Sequence, residues 1–330
     1  MKESDRIEAF TRDIWEWYGR HKRTLPWRDL AEKDADRRAY LVLVSEVMLQ
    51  QTQVSRVTVL YKNFIQKYPH TEALSKAKNS EVLIAWRGLG YNNRALHLRD
   101  AAKKIAHDFD GVVPREMETL QSLPGVGHYT AAAVRNFAFG IPTACMDVNI
   151  RRILHRFFVG PENADGTWKK DDAFLLKLAE KVLTRALQTA DAPLSETSSA
   201  LPSASADWHA ALMDFGSLVM TKNSPKWDQF SKTLKTVCMA YGKEIKRTKN
   251  VIKKEPGRML GSRFVPNRIF RGKIIEQLRD HPKGLTPDAI GQRVALDWTM
   301  GDHREWLHGL LSGLQKDGMI VSRGKAFRLA

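Results

Sequence analysis

The chain has 330 residues, a formal net charge of +16 and an isoelectric point of about 9.8. That length suits two or three domains with ample core, and the charge suits a polyanionic partner. No apolar run is long enough to span a bilayer, the N-terminal MKESDRIEAF lacks an apolar signal core, and two cysteines, Cys145 and Cys238, cannot build a disulfide framework. A reducing cytoplasm, at the nucleoid, is the expected compartment, with no membrane partner.

In chain order, residues 4–20 carry Ile7, Phe10, Ile14, Trp17 and Tyr18 at helical spacing. Leu25-Pro26-Trp27-Arg28 breaks that helix, and residues 29–38 are charged and read as loop. Tyr40 to Tyr68 reads as two helices. Further helical stretches are predicted near residues 72–76, 79–87, 93–109, 116–121 and 130–139. Strand signal is low, so the body is predicted to be all-α. Residues 186–206, rich in Ser, Ala and Pro, read as a flexible insertion, with helix returning at Trp208 to Met220. Residues 243–273 hold eleven Lys or Arg and two Glu, which fits a solvated tether or a DNA-tracking segment.

Residues 269–330 read as a separate small unit. Ile274, Ile275 and Leu278 mark one helix, Thr286-Pro287 an N-cap with proline at N1 of a second, and Arg304 to Lys316 a third. Met319–Ser322, the turn Arg323-Gly324-Lys325 and Ala326–Leu329 read as a β-hairpin. Three helices and a basic hairpin resemble a winged-helix domain, whose wing and third helix often touch DNA. Trp298 and Trp306 would equally suit a protein-docking surface.

The stretch from Leu123 to Asp147 is the organising one. LPGVG is a tight glycine turn running into an apolar helix from Thr130 to Phe139, whose free N–H groups make a ready anion site. A single acid, Asp147, follows the helix. A phosphate grip with a carboxylate at fixed distance suggests chemistry on a nucleotide. LPGVG alone would be an ordinary loop-to-helix turn, and Asp147 alone a cap for a helix over Asn149–Phe158. Four motifs in order say more. LPGVGHYT and MDVNIRR, with SEVMLQQTQV at Ser45–Val54 and GLGYNNRALHL at Gly88–Leu98, resemble the helix-hairpin-helix (HhH-GPD) base-excision DNA glycosylases. The likeness is to their MutY-like adenine branch and covers roughly residues 8 to 240.

That resemblance implies a two-lobed helix-hairpin-helix glycosylase fold with its active cleft between the lobes. Residues 1–28 and 138–242 would form the second helical lobe, 29–137 a six-helix barrel with the hairpin, 243–268 a basic linker and 269–330 the winged-helix-like domain. It also implies a monomer acting on double-stranded DNA that holds a mismatch or lesion. Cleaving an N-glycosidic bond needs an acid for the departing base and an ionised carboxylate for the oxocarbenium-like sugar. The resemblance puts Glu46 in the first role and Asp147 in the second. Without the motif, Glu46 would read as the wet side of an amphipathic helix. Bifunctional relatives carry a Schiff-base lysine two residues after the last hairpin glycine. Here that place is Tyr129, and a phenol forms no Schiff base, so a monofunctional enzyme is expected. Tyr129 and Asn149 are expected to orient Asp147. Gly125, Val126, Gly127, His128 and Thr130 form the expected phosphate grip. Gln51 and Tyr91 are expected to wedge into the duplex as the base is flipped out. Leu49, Thr52, Trp27 and Arg28 match positions near the target or opposite base.

Two departures stand out. Adenine glycosylases usually hold a [4Fe–4S] cluster on cysteines spaced C-x6-C-x2-C-x5-C, and here Met220, Trp227, Phe230 and Thr236 occupy those four places. No metal or other cofactor is therefore expected, with hydrophobic packing doing the structural job. Residues 269–330 are also too short for the family's Nudix-like reader of 8-oxoguanine. Adenine opposite 8-oxoguanine or guanine is the leading substrate. A thymine, uracil or modified-base glycosylase is the alternative, and a non-catalytic DNA-binding protein is the alternative of another class.

Overall fold

The computed structural model describes residues 1–190, 203–245 and 255–330. Most of the insertion expected at 186–206, and residues 246–254 of the basic linker, lie outside the described residues. Fifteen α-helices occur among those described: α1 (Glu3–His21), α2 (Ala35–Leu49), α3 (Val54–Lys67), α4 (Thr71–Ser75), α5 (Asn79–Ala85), α6 (Asn93–Asp108), α7 (Met117–Gln121), α8 (His128–Phe139), α9 (Val148–Phe158), α10 (Asp172–Thr189), α11 (Ala204–Leu218), α12 (Lys232–Val237), α13 (Asn267–Arg279), α14 (Pro287–Val294) and α15 (Met300–Lys316). Two antiparallel hairpins complete them: β1 (Gly257–Leu260) with β2 (Arg263–Pro266), and β3 (Ile320–Arg323) with β4 (Ala326–Leu329). No described helix is long and apolar enough to cross a membrane.

The chain divides into two compact units. The first comprises Met1–Leu43, Arg115–Ser122 and Val126–Asn250. Its core forms because α1 turns Ile7, Phe10, Ile14, Trp17 and Tyr18 inward, the stripe its 3.6-residue period lays down. Phe10 meets Phe157 of α9 with ring centroids 4.6 Å apart, and Trp15 meets Trp208 of α11 at 5.3 Å. Trp15 also donates its indole N–H to the Ala186 carbonyl on α10, at 3.0 Å, so its polar edge is satisfied on burial. Ala186–Thr189 and Ala204–Ala206, inside the expected flexible insertion, are helical. Side-chain caps open several helices here: Asp171 on α10, Ser203 on α11 and Ser231 on α12 each accept from a backbone N–H of the first turn.

The places a cluster would need lie in this core. Met220 and Phe230 are buried, and Trp227 packs beside them. Phe230 stacks on Phe157 at 5.9 Å and meets Trp227 edge-on at 5.0 Å, while Thr236 is exposed on α12. Those four side chains offer no thiolate, and three of them fill the space with apolar groups, so they do not fit an iron–sulfur cluster.

The second unit comprises Val44–Pro114, Leu123–Gly125 and Val251–Ala330. Helices α3 to α6 pack around Trp86, Phe64 and Leu83, all buried. At the C-terminal end, Phe270, Ile274, Ile275 and Leu278 of α13 pack with Leu307, Leu310, Leu311 and Leu314 of α15. Thr286 caps α14 with Pro287 at N1. Leu285 and Phe327 exchange backbone hydrogen bonds, so a third strand position joins β3–β4 and gives the helix–strand–helix–helix–hairpin order of a winged helix.

Three elements depart from the expected reading. The charged stretch at 29–38 is helical from Ala35, because α2 opens under Asp34, whose carboxylate accepts from Asp36 N and Arg37 N. Helix α10 was not anticipated, although its buried Leu175, Leu178, Val182 and Ala186 follow helical spacing. Residues 257–266, read as part of a basic linker, form the β1–β2 hairpin. Gly261 turns it at φ 58°, and the Arg258 guanidinium lies 4.7 Å over the Trp306 ring.

Candidate active site and nucleic-acid interface

Asp147 is the N-cap of α9. Its Oδ1 accepts from the backbone N–H groups of Asn149 (2.8 Å) and Ile150 (2.7 Å), and its Oδ2 accepts from Asn149 Nδ2 at 2.8 Å. The half-buried carboxylate is thus held in place by three donors at a helix N-terminus. The arrangement has a second tier that the sequence reading did not reach. Arg152, one turn along α9, donates Nη2 to Asn149 Oδ1 at 2.6 Å, which commits the Asn149 amide N–H₂ to Asp147. Arg152 is itself fixed on the carbonyls of Gly216 (2.7 Å) and Met220 (2.6 Å). Burial, then the neighbouring Arg156, pulls the Arg152 guanidinium down to about 10, still charged at neutral pH. Gly216 on α11 permits this packing: a Cβ there would stand 2.7 Å from Asn149 Cβ.

The hairpin turn has the backbone its sequence demands. Gly125 adopts φ 76°, where a side chain would also collide with His97 Cβ at 2.8 Å. Gly127 is the N-cap of α8, and no side chain caps that end of the helix. Gly127 and His128 are exposed, whereas Val126 and Thr130 are buried and anchor the turn. Tyr129 is half-buried at the start of α8, and its hydroxyl lies 4.0 Å from Met213 Sδ.

In the second unit Glu46 lies buried on α2, 5% exposed, rather than on the wet face of that helix. Beyond it the chain makes two loops with non-glycine residues in the left-handed region: Gln51 at φ 54° and Tyr91 at φ 43°. Both side chains are exposed, Tyr91 by 48%. Leu49 and Thr52 flank Gln51 and are half-buried. Arg94 locks the two loops together. Its Nη1 donates to the carbonyls of Val47 (2.8 Å), Met48 (3.1 Å) and Gln50 (2.5 Å). Its Nη2 donates to Thr52 Oγ1 (3.2 Å) and to the carbonyls of Leu89 (3.0 Å) and Gly90 (3.2 Å). The guanidinium also lies over the Trp86 and Tyr91 rings, at 5.5 and 5.7 Å. Burial pulls Arg94 down to about 10. Arg94 stands inside GLGYNNRALHL but was not singled out, because four of its six acceptors, from Val47 to Thr52, come from chain positions more than forty residues away.

Trp27 and Arg28 sit in the first unit. Trp27 is buried, and Arg28 Nη1 meets the fully buried Asp214 carboxylate at 2.8 Å, with Arg23 on the other oxygen at 2.5 Å. Among the described residues, no group of three or more His, Cys, Asp or Glu could hold a metal ion.

Residues 44–181 match the HhH-GPD superfamily base excision DNA repair protein family. The chain is 38% identical over 238 residues to the adenine DNA glycosylase of Mus musculus, covering 71% of this chain and 42% of that protein. It is 39% identical to the adenine DNA glycosylase of Homo sapiens over 68% of this chain and 38% of that one. For the adenine DNA glycosylase of Mycolicibacterium smegmatis the figures are 38%, 65% and 64%. The chain thus spans about two fifths of the length of these mammalian relatives. Among solved structures, a thermostable thymine-DNA glycosylase superposes with a TM-score of 0.59 at 28% identity, covering 72% of this chain and 97% of that one. A non-covalent endonuclease III–DNA complex superposes at 0.54 and 21% identity over 72% and 96%, a likeness of fold alone.

Proposed function

Because the chain belongs, through residues 44–181, to the HhH-GPD superfamily of base excision DNA repair proteins and is homologous to adenine DNA glycosylases, we propose that it is a monofunctional DNA glycosylase. It flips a mispaired base, most readily adenine opposite 8-oxoguanine or guanine, from duplex DNA and hydrolyses its N-glycosidic bond. One observation carries this reading: a carboxylate at a helix N-cap, Asp147, aimed by an Asn149–Arg152 relay.

The residues divide the work as follows. The extruded base leaves as a poor anion unless protonated, and Glu46 supplies that proton. The sugar then develops positive charge at C1′, which Asp147 stabilises, and water completes the hydrolysis. Asn149 and Arg152 keep the carboxylate pointed. Tyr129 stands where a lysine would make a lyase, so the product is an intact strand with an abasic site. The hairpin around Gly125 to Thr130 grips a phosphate, and Gln51 and Tyr91 fill the gap the base leaves. No cluster or metal takes part.

Single-turnover cleavage of labelled duplexes tests this. The substrates are A opposite 8-oxoguanine, A opposite G, T opposite G and U opposite G, each with and without alkali. Strand breaks only after alkali, strongest for A, are expected. The likeness to a thymine-DNA glycosylase favours a second reading, and cutting of T or U instead of A would establish it. No cutting of any duplex would leave a DNA-binding protein without this activity.

A further inference from the structure

The reaction above makes no use of the loop between α9 and α10, residues 159–171. The loop lies on the surface, yet two buried groups shape it. His155 of α9 is fully buried, and its ring holds both ends of the loop. Nε2 accepts from Lys169 N at 3.0 Å, so Nδ1 carries the proton and donates to the Gly160 carbonyl at 2.9 Å. Only the neutral ring can do both, and burial holds His155 below its ordinary value. The next residue, Arg156, is also fully buried and donates to Glu162 at 2.7 Å. Trp168 meets the His155 ring edge-on at 5.0 Å. A connection that only joined two helices would need neither a buried histidine nor a buried ion pair, because both cost desolvation.

What the loop presents is charge. An open concavity of about 600 Å³ lies between it and the start of α10, lined by Arg151, Trp168, Lys169, Lys170, Asp171 and Asp172. Both carboxylates are engaged: Asp172 pairs with Arg151, and Asp171 caps α10 by accepting from Phe174 N at 2.9 Å. Lys169 and Lys170 are exposed and supply the charge left over, with Lys170 Nζ 4.9 Å over the exposed Phe174 ring.

The position matters as much as the charge. Val148, Arg151 and His155 follow one another at i, i+3 and i+7 along one stripe of α9, the helix that Asp147 caps. The stripe is open at its start, where Val148 is 70% exposed, and covered by the loop at its end. From Asp147 to His155 the rise is about 12 Å, or roughly three to four steps of a DNA strand at about 3.4 Å each.

Two exposed cations held at a fixed distance from the carboxylate that faces C1′ fit the backbone of the strand being cut, since phosphate contacts set register. We infer that Lys169 and Lys170 form a second phosphate grip, on the strand that carries the target base and within about four nucleotides of it, and that His155 is the positioning residue that fixes this grip to α9. The inference rests on the proposed glycosylase reading for the identity of that strand.

The test uses the full chain and duplexes in which an uncleavable tetrahydrofuran abasic analogue replaces the target nucleotide. Single neutral methylphosphonate linkages are placed in turn on both strands, out to about four nucleotides on either side. Lys169→Ala/Lys170→Ala should bind the unmodified duplex about 10-fold more weakly, with a log K against log salt slope shallower by about 1 to 2. The wild-type chain should lose affinity at one or two target-strand linkages to which the double variant is indifferent, while both chains respond alike elsewhere. Both lysines are exposed, so an unchanged melting temperature is expected, and Lys169→Arg/Lys170→Arg should restore affinity and sensitivity. His155→Leu keeps both charges but frees the loop, so it should lose the same linkage-specific response. If it lowers only the melting temperature and keeps that response, His155 is structural and its positioning role is overturned. An unchanged affinity and salt slope in the lysine double variant, or losses that simply add at every target-strand linkage, would overturn the grip itself. Because the analogue is never cut, that failure is separate from failure of the glycosylase reading, which shows in the cleavage panel.

Discussion

Asp147 sits in relaxed backbone, at φ −91° and ψ −176°, whereas Gln51 and Tyr91 sit at φ 54° and 43°. Both regions present a side chain of the proposed site from a short connection, and each depends on one arginine, Arg152 buried and Arg94 half-buried. In the first, Arg152 aims an amide and the carboxylate is held by helix N–H groups that exist in any case. In the second, Arg94 holds six acceptors across two loops so that a costly backbone persists. A group that must carry charge is best placed where the backbone solvates it. A group that must protrude into another molecule has no such support and needs an internal clamp.

The largest effect should come from Asp147→Asn. Asparagine caps a helix about as well as aspartate, so the melting temperature should hold within a few degrees and duplex affinity within a few-fold. Single-turnover cleavage should fall on the order of 10³-fold; normal turnover would remove Asp147 from the mechanism. Next is Arg94→Met, which leaves six backbone and hydroxyl acceptors without their donor and should cost about 3 kcal/mol in urea denaturation. A loss below about 1 kcal/mol would mean the loops hold their shape unaided. Gly216→Ala pushes a methyl to 2.7 Å from Asn149 Cβ. It should cost about 1–3 kcal/mol and lower the cleavage rate roughly 10-fold at unchanged affinity, through the displaced Asn149. The smallest effect is Gln51→Gly, which relieves the left-handed backbone and should leave stability unchanged or raised by up to about 1 kcal/mol. Affinity for an abasic-analogue duplex should fall all the same. In a double-mutant cycle it should also soften Arg94→Met; strict additivity would show that the clamp and the strain are unconnected.

Helices were the legible part of this chain. Apolar spacing over residues 4–20 anticipated Glu3–His21, and Thr286-Pro287 marked the start of α14 to the residue, because periodicity and caps are written locally. The β1–β2 hairpin was hidden because its basic residues resemble those of a tether, while its stabilising contact, Arg258 over Trp306, lies far along the chain. At the candidate site the motifs named residue types but not their supports. Asp147 and Asn149 lie two residues apart and could be paired on sight. Arg152 reaches Gly216 and Met220, and Arg94 reaches Val47, across separations that no local pattern encodes.

The clamp at Arg94 also has a kinetic meaning. A protein that interrogates DNA meets a very large number of ordinary base pairs for each damaged one. Were Gln51 and Tyr91 to reach their left-handed conformations only on contact, every encounter would include a loop rearrangement, and most would be wasted. With both loops tied to one guanidinium, that rearrangement happens once, when the chain folds. Under the proposed glycosylase reading, each later trial would ask only whether the duplex yields, so the dwell time at a site would report the weakness of the base pair, not the flexibility of the protein.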